Sequence, residues 1–192
     1  MDDPLNLFDF PEVRVRQPGK LLAGRARYEI FGDRKEPVAV ATETEGRSVM
    51  DKITKLLPDT RQLQITTEAG EALFTLLVQG SEWVAGLTDS GGKAVGKIRI
   101  GASRRHYTLV NEADEVIGEA VGDLAVKRFT VKGVNRPPFA EIRKTWAGPV
   151  KEAFTSADHY SVKFSAIAVP PSLRTLTVMV PIVLDLAKYG PA

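Results

Sequence analysis

The sequence predicts a mainly β fold: a closed antiparallel barrel of about twelve strands, built from repeated hairpins around a buried C-terminal helix. Three observations support this prediction. Apolar positions recur every 22 residues, each repeat alternates apolar and polar residues around a turn, and a nearly continuous apolar segment lies close to the C-terminus. Because a single hairpin cannot bury its own apolar face, the repeats are expected to share one sheet.

The repeat covers four consecutive segments. In the first strand of each, the aligned apolar positions are Leu63, Ala85, Tyr107 and Phe129, followed by Ile65, Leu87, Leu109 and Val131. In the second strand they are Leu73, Val95, Ile117 and Phe139, followed by Leu76, Ile98, Ala120 and Ile142. The breaks between the strands, at residues 67–70, 89–92, 111–114 and 133–136, contain Gly, Asn and Asp, which tolerate positive φ. Each segment therefore predicts a β-hairpin.

The second strand of each hairpin contains an irregular step. Its two apolar positions are three residues apart rather than two, and Gly96 and Gly118 fall inside that step. A β-bulge would return the side chains to the inward face and curve the sheet. The sequence therefore predicts a bulge in the returning strands.

Further elements complete the barrel. Tyr28, Ile30, Val38 and Ala41 repeat the same offsets and predict a fifth hairpin. Additional strands are predicted at residues 12–16 and 160–169, and a short amphipathic helix at 47–57. A barrel of about twelve strands has no exposed edges, but it is too wide to be filled by its own side chains.

A helix predicted at residues 173–187 would occupy the barrel interior. Ser172 is its predicted N-cap, and Pro181 is expected to kink it. It is apolar on nearly all sides, so the alternatives are a membrane span and a helix surrounded by protein. Its 15 residues extend about 22 Å, whereas a span needs about 20 residues. Asp185 at the centre of a bilayer would cost about 3 kcal/mol. These arguments favour the buried helix.

Composition excludes several function classes. The 26 basic and 24 acidic residues nearly cancel, so no global field favours a nucleic acid partner. The absence of cysteine excludes disulfides and thiolate chemistry and favours a cytoplasmic location, as does an N-terminus without the features of a secretory signal. Without a catalytic or nucleotide-binding motif, and with only His106 and His159 as histidines, the chain is predicted to be non-enzymatic and without a cofactor.

Four short segments carry a resemblance to a known family. They are Phe129-Thr130-Val131, Ala140-Glu141-Ile142-Arg143-Lys144-Thr145-Trp146-Ala147-Gly148, Glu152-Ala153-Phe154-Thr155-Ser156-Ala157-Asp158-His159-Tyr160 and Val162-Lys163-Phe164. Their order is similar to that in the phospholipid scramblase family. Hairpins around a central C-terminal helix resemble the tubby-like fold, shared by tubby C-terminal domains, scramblases and LURP-one-related proteins. The resemblance implies a tubby-like barrel domain at 21–192, preceded by an N-terminal arm at 1–20 with a candidate first strand.

The resemblance also implies a binding surface, because related tubby domains bind phosphoinositide head groups through basic residues on the barrel exterior. The candidates here are Lys97, Arg99, Arg104, Arg105, Lys127, Arg128, Arg143 and Lys144. If the neighbouring isoleucines point inward, Lys97, Arg99 and Arg143 point outward. In the alternative interpretation, these residues are solvated charges paired with Glu119, Glu141 or Asp123.

The family's proposed calcium segment is poorly matched. Asp158 is its only retained acidic residue, while Ser156, Ile167 and Val169 stand where other acidic residues would be. Since calcium normally takes six to eight oxygen ligands, no metal site is predicted.

Three functions follow as hypotheses. The leading one is a non-enzymatic domain that binds anionic phospholipid head groups and is cytoplasmic, with peripheral membrane contact. The second is a protein-interaction scaffold, in which the hairpin loops or Leu5–Phe10 contact a partner, although that segment could instead dock on this barrel. The third is a true scramblase that inserts its terminal helix. Trp83 and Trp146 are either core anchors or interfacial residues, and packing favours the core. Nothing in the sequence indicates an oligomeric state.

Overall fold

A computed structural model describes residues 4–18, 26–44, 60–145 and 159–187. The described residues form twelve strands, one α-helix and two short 3₁₀ helices, Pro4–Phe8 and Gly80–Glu82. The strands are β1 Glu12–Arg16, β2 Arg27–Phe31, β3 Ala39–Glu43, β4 Thr60–Thr66, β5 Ala72–Gln79, β6 Val84–Asp89, β7 Ala94–Ile100, β8 His106–Val110, β9 Val116–Gly122, β10 Arg128–Gly133, β11 Pro138–Thr145 and β12 His159–Phe164. Helix α1 is Pro171–Ala187.

The strands form one closed barrel. Each is antiparallel to its neighbours in sequence, and β1 pairs with both β2 and β12, which closes the sheet. Closure leaves the sheet with no unpaired edge. The predicted fold class, a twelve-stranded antiparallel barrel of hairpins around a C-terminal helix, is confirmed.

Each repeated hairpin contains the predicted bulge. The ladder register shifts opposite the start of the returning strand, so that one residue there has no direct partner. The extra residues are Leu73, Val95, Ile117 and Phe139. Because the bulge turns two adjacent residues inward, both Val95 and Gly96 are buried.

Two glycines allow the helix to approach the wall. A Cβ on Gly96, whose φ is +155°, would lie 2.3 Å from the Val110 carbonyl oxygen and 2.9 Å from Leu176 Cδ1. A Cβ on Gly118 would lie 2.9 Å from the Lys132 carbonyl oxygen and 3.0 Å from Leu173 Cδ1. Since ordinary carbon contacts are longer than these, the first two turns of α1 pack against bare backbone.

Helix α1 fills the barrel. From Thr175 to Leu186 it is buried on every side, with Leu176, Met179 and Ile182 fully enclosed. It continues through Pro181. It begins at Pro171, so Ser172 lies in its first turn and the predicted N-cap is wrong. Proline suits this position because its fixed φ is helical and its missing N–H would have no intrahelical partner.

Strand β12 is shorter than predicted. The ladder ends where the Phe164 N–H donates to the Pro11 carbonyl and the Ser165 N–H donates to the Phe139 carbonyl. Both neighbouring strands end at this level, so residues 165–170 have no strand to pair with and cross to α1. Ile167 and Val169 pack against the core on the way.

The N-terminal arm docks on its own barrel. Phe8, at the end of the first 3₁₀ helix, is fully buried and stacks on Phe74 at a centroid distance of 6.3 Å. Arg174 Nε donates to the Phe8 carbonyl at 2.8 Å, and its Nη2 donates to the Phe10 carbonyl. Two alternatives were predicted for Leu5–Phe10, contact with a partner chain or docking on this barrel. In the structure the segment docks on this barrel.

Several predictions lie outside the described residues: the helix at 47–57, Trp146, Ser156 and Asp158. The domain boundary at residue 20 stays a prediction. Within the described part of the chain, no helix has the length and apolar character needed to cross a membrane.

The helix direction defines two ends of the barrel. The N-end, where α1 begins, carries the 3₁₀ helix Pro4–Phe8 and the turns at 32–37, 67–71, 89–93, 111–115 and 133–137. The C-end, where α1 finishes, carries the turns at 101–105 and 123–127. Asp185, near the end of α1, accepts a 2.7 Å hydrogen bond from the Tyr28 hydroxyl at the C-end.

Candidate functional site

The two ends of the barrel differ in charge. The N-end turns contain four basic residues, Arg34, Lys35, Lys93 and Arg136, and a larger set of acidic residues: Asp33, Glu36, Glu68, Glu71, Asp89, Glu112, Asp114 and Glu115. The C-end carries a set of basic residues, which we term the basic rim: Arg104, Arg105, Lys127, Arg128, Arg143 and Lys144. Its acidic neighbours are Asp123, Glu141 and, in the next turn, Glu82.

Backbone hydrogen bonds hold the basic rim together. The Arg105 carbonyl accepts from the Gly122 N–H at 2.7 Å, and the Lys127 carbonyl accepts from the Lys144 N–H at 2.7 Å. Arg128 lies directly opposite Arg143 in the β10–β11 ladder. Six of the eight predicted site residues therefore lie on connected segments at one end.

Carboxylates neutralise the rim only in part. Arg128 Nε lies 3.9 Å from Glu141 Oε1, and Arg143 also contacts Glu141. These pairs are solvent-exposed, so each contributes little to stability. Among the described residues, the side chains of Arg105 and Lys127 form no ion pair.

Asp123 stabilises a rim turn rather than a rim cation. Its Oδ1 accepts the Lys127 N–H at 2.9 Å. This backbone hydrogen bond is the main cause that lowers the pKa of the Asp123 carboxyl, and the nearby Arg128 also contributes. Asp123 thus stays ionised while the Lys127 ammonium group remains available.

Arg104 lies over an aromatic ring. Its guanidinium carbon is 5.5 Å from the centroid of the Trp83 ring. Trp83 is half-buried and packs against the core, which agrees in part with its predicted role as a core anchor. A cation over a partly exposed ring gains about 0.5–1 kcal/mol. The contact fixes Arg104 at the rim without neutralising its charge.

The remaining two candidates do not join the rim. Lys97 and Arg99 point outward, as predicted, and bind Asp114 at 3.3 and 2.8 Å. The hydrogen bond from Lys97, followed by the charge of Arg99, lowers the pKa of Asp114. Although β7 leads into the turn that carries Arg104 and Arg105, the charges of Lys97 and Arg99 face Asp114, which lies in an N-end turn. Their partner is therefore an acidic residue that the sequence analysis did not consider.

Glu119 contacts side chains other than the candidate site residues. Its carboxylate lies 2.8 Å from Lys132 Nζ and 2.9 Å from His106 Nε2. The hydrogen bond from Lys132 is the largest cause of the lowered pKa of Glu119. His106 is therefore a surface residue in an ion-pair cluster on the outer wall.

The sequence analysis missed Leu124. Its side chain is 88% exposed, well above the other exposed large hydrophobic residues among those described, and it lies in the rim turn between Asp123 and Lys127. An apolar residue inside a polar turn was the available signal.

The analysis also missed a basic and aromatic cluster on β1 and β2. The guanidinium carbons of Arg14 and Arg16 lie 5.8 and 5.2 Å from the centroid of the Phe31 ring. Arg14 lies opposite Ser161, which in turn lies opposite Arg143. The positive surface therefore extends from the rim along the outer wall, although Arg16 is paired with Glu29 at 2.5 Å.

Several polar groups are buried inside the C-end. Burial raises the pKa of Tyr28 strongly, and the adjacent Asp185 adds to this effect. Glu43 binds Arg61 at 2.8 Å and accepts the Ala26 N–H at 2.8 Å. Asp185 is thus an interior hydrogen-bond acceptor, which is how an acidic residue is accommodated in the apolar helix.

No metal-binding cluster is present in the described ranges: no three His, Cys, Asp or Glu side chains lie close enough together to hold an ion. Asp158 lies outside those ranges.

A closed barrel of antiparallel hairpins threaded by a C-terminal helix defines the tubby-like class. A family model described as Scramblase matches residues 25–190. A comparison with curated proteins found no match. The chain therefore belongs to the Scramblase family, and this membership suggests a lipid-related function of a generally non-enzymatic kind.

Proposed function

We propose that this chain is a non-enzymatic domain that binds anionic phospholipid or phosphoinositide head groups at a membrane surface through the basic rim. The observation that carries the proposal is the grouping of six cationic side chains at one end, joined by backbone hydrogen bonds. Each Lys or Arg near an anionic bilayer contributes about 1 kcal/mol of attraction.

The unpaired rim cations are the strongest contributors. Arg105 and Lys127 have no ion pair within the described residues, whereas Lys97 and Arg99 would first have to give up Asp114. Phosphate oxygens can replace the exposed Glu141 contact of Arg128 and Arg143 at little cost, because exposed ion pairs are weak.

Vesicle flotation tests the proposal. The chain is mixed with phosphatidylcholine vesicles, alone or containing phosphatidylserine or a phosphoinositide. We expect binding only to the anionic vesicles and weaker binding at high salt. The double variant Arg105→Glu, Lys127→Glu should bind at least about tenfold more weakly, because two favourable charges become unfavourable.

A matched double variant at the N-end, Lys93→Glu with Arg136→Glu, makes the same change in net charge. It should bind much as the unaltered chain does. Equal loss in the two double variants would show attraction by net charge alone and would contradict a rim site, and so would binding that is indifferent to lipid charge.

Family membership makes lipid scrambling the second candidate. If α1 inserted into a bilayer, Tyr28 would lose Asp185 and the arm would lose Arg174, and the barrel core would be emptied. A transbilayer assay with fluorescent lipid separates the two functions: head-group binding without lipid transfer supports the peripheral domain. Transfer at a rate that scales with bound protein would support scrambling.

A further inference from the structure

Leu124 is the most exposed large hydrophobic residue that the structure describes. With 88% of its surface accessible, it protrudes from the turn that connects β9 and β10. Ala125 beside it is also exposed, while Val126 turns back and packs against the core. The turn therefore presents a single large apolar side chain at the C-end.

Three hydrogen bonds fix this turn. The Asp123 N–H donates to the Arg128 carbonyl at 2.9 Å, the Val126 N–H donates to the Asp123 carbonyl at 3.1 Å, and the Lys127 N–H donates to the Asp123 carboxylate at 2.9 Å. The position of Leu124 is thus set before any partner binds, so little conformational entropy is lost on docking.

Cations lie near the exposed leucine, on its own turn and on the neighbouring strand. Lys127 and Arg128 follow it in sequence, and the ladder places Arg143 beside Arg128. An apolar tip with cations on the same turn and on the neighbouring strand matches the boundary of an anionic bilayer, where acyl chains lie just beneath negative head groups. A protein partner would more commonly offer a continuous apolar surface to a continuous apolar patch.

The opposite end has the opposite charge. The N-end turns are rich in acidic residues, so an anionic surface attracts the C-end and repels the N-end. This difference in charge orients the barrel relative to an anionic surface, with the C-end toward it.

We propose that the barrel docks on anionic membranes end-on, with Leu124 inserted among the lipid chains and the acidic N-end facing away. This inference rests on the proposed function and adds to it an orientation and an anchoring residue. Leu124 supplies the part of the affinity that salt does not screen, because burial of apolar surface is independent of charge.

The absence of cysteine makes a direct test simple. Leu124→Cys and, as the matched control, Val134→Cys at the N-end each carry one polarity-sensitive fluorophore; Val134 is 50% exposed. On phosphatidylcholine vesicles that contain phosphatidylserine, the label at position 124 should shift to the blue, and the label at position 134 should not.

The inference and the proposed function fail in different ways. If the unlabelled chain floats with the vesicles while the label at 124 keeps its aqueous emission, end-on insertion is wrong and head-group binding stands. If both labels shift, the orientation is wrong. If the unlabelled chain does not float with anionic vesicles, both proposals are wrong.

A second variant avoids any effect of labelling. Leu124→Ser should weaken binding to the same vesicles about tenfold, and the remaining binding should be more sensitive to salt. Val134→Ser should leave both properties unchanged. Equal affinities for Leu124→Ser and the unaltered chain would overturn the anchor.

Discussion

The two ends of the barrel place different types of residue at the turn positions that need positive φ. Both need residues at positive φ to reverse the chain. The N-end uses Gly70, Gly92, Asp114 and Asn135, and the C-end uses Trp83, Arg104 and Val126. Glycine, aspartate and asparagine adopt this conformation readily, whereas bulky or β-branched residues do so at a cost of about 1–3 kcal/mol each. The C-end therefore keeps side chains that its backbone does not favour.

The ends also hold the central helix differently. At the N-end, α1 packs directly against backbone at Gly96 and Gly118, and Arg174 ties it to the arm. At the C-end, one hydrogen bond joins Asp185 to Tyr28 inside the barrel. The N-end therefore packs closely against the helix, whereas the C-end exposes side chains. Three predictions test this comparison.

The largest expected effect is on N-end packing. Gly96→Ala should destabilise the fold by about 3 kcal/mol or more, because its Cβ overlaps the Val110 carbonyl and Leu176 and its φ is unfavourable. Chemical denaturation measures the loss. Gly92→Ala is the control, since it has φ +81° but nothing within 4 Å, and it should cost about 1 kcal/mol. Equal losses would show that backbone conformation, rather than close packing, dominates at Gly96.

The next largest effect is on stability at the positive-φ turn positions, where substitutions should act differently at the two ends. Gly70→Ala, with φ +88° and open surroundings, should destabilise by about 1 kcal/mol. Val126→Gly releases strain but loses the half-buried contact of a valine, so it should be neutral or stabilising by up to about 1 kcal/mol. Thermal unfolding of the two variants checks this. A loss of more than about 1 kcal/mol in Val126→Gly would mean that packing outweighs strain at the C-end.

The smallest effect concerns two carboxyl groups with lowered pKa values. At the N-end, the side chains of Lys97 and Arg99 lower the pKa of Asp114. At the C-end, the hydrogen bond from the Lys127 N–H lowers the pKa of Asp123. Each carboxylate therefore stabilises the fold above its ordinary pKa of 3.8, and this stabilisation disappears as pH falls through the lowered value.

Carbon-detected NMR titration separates the two causes. Lys97→Met with Arg99→Met should raise the pKa of Asp114 toward its ordinary value, whereas Lys127→Met should leave that of Asp123 low, because the N–H remains. A marked rise for Asp123 in Lys127→Met would mean that the ammonium group is engaged at the turn and is less available to a phosphate.

Local patterns made much of the barrel predictable. The bulges at Leu73, Val95, Ile117 and Phe139 followed from an irregular step repeated every 22 residues, because strand alternation converts sequence spacing into side-chain direction. The end of β12 was not predictable, because residues 160–169 resemble one continuous strand and only the limits of the neighbouring strands end the pairing.

The candidate site was predictable only as a set of exposed basic residues. Alternation correctly placed Lys97, Arg99 and Arg143 outward, but ion-pair partners depend on which strands lie side by side. Asp114 reaches Lys97 and Arg99 because the β8–β9 turn lies beside the first half of β7, where Val110 pairs with Lys97.

The sequence by itself determined the hairpins, the bulges, the barrel class and the buried nature of the C-terminal helix, because these depend on periodicity and on the length of an apolar segment. Only the tertiary structure decided that the arm packs over one end, that Asp185 meets Tyr28, and that six of eight candidate cations share a rim while two do not. The sheet closes through pairing of β1 with β12, and the short connection from the end of β12 starts the helix at the N-end, so residues far apart in the chain come together.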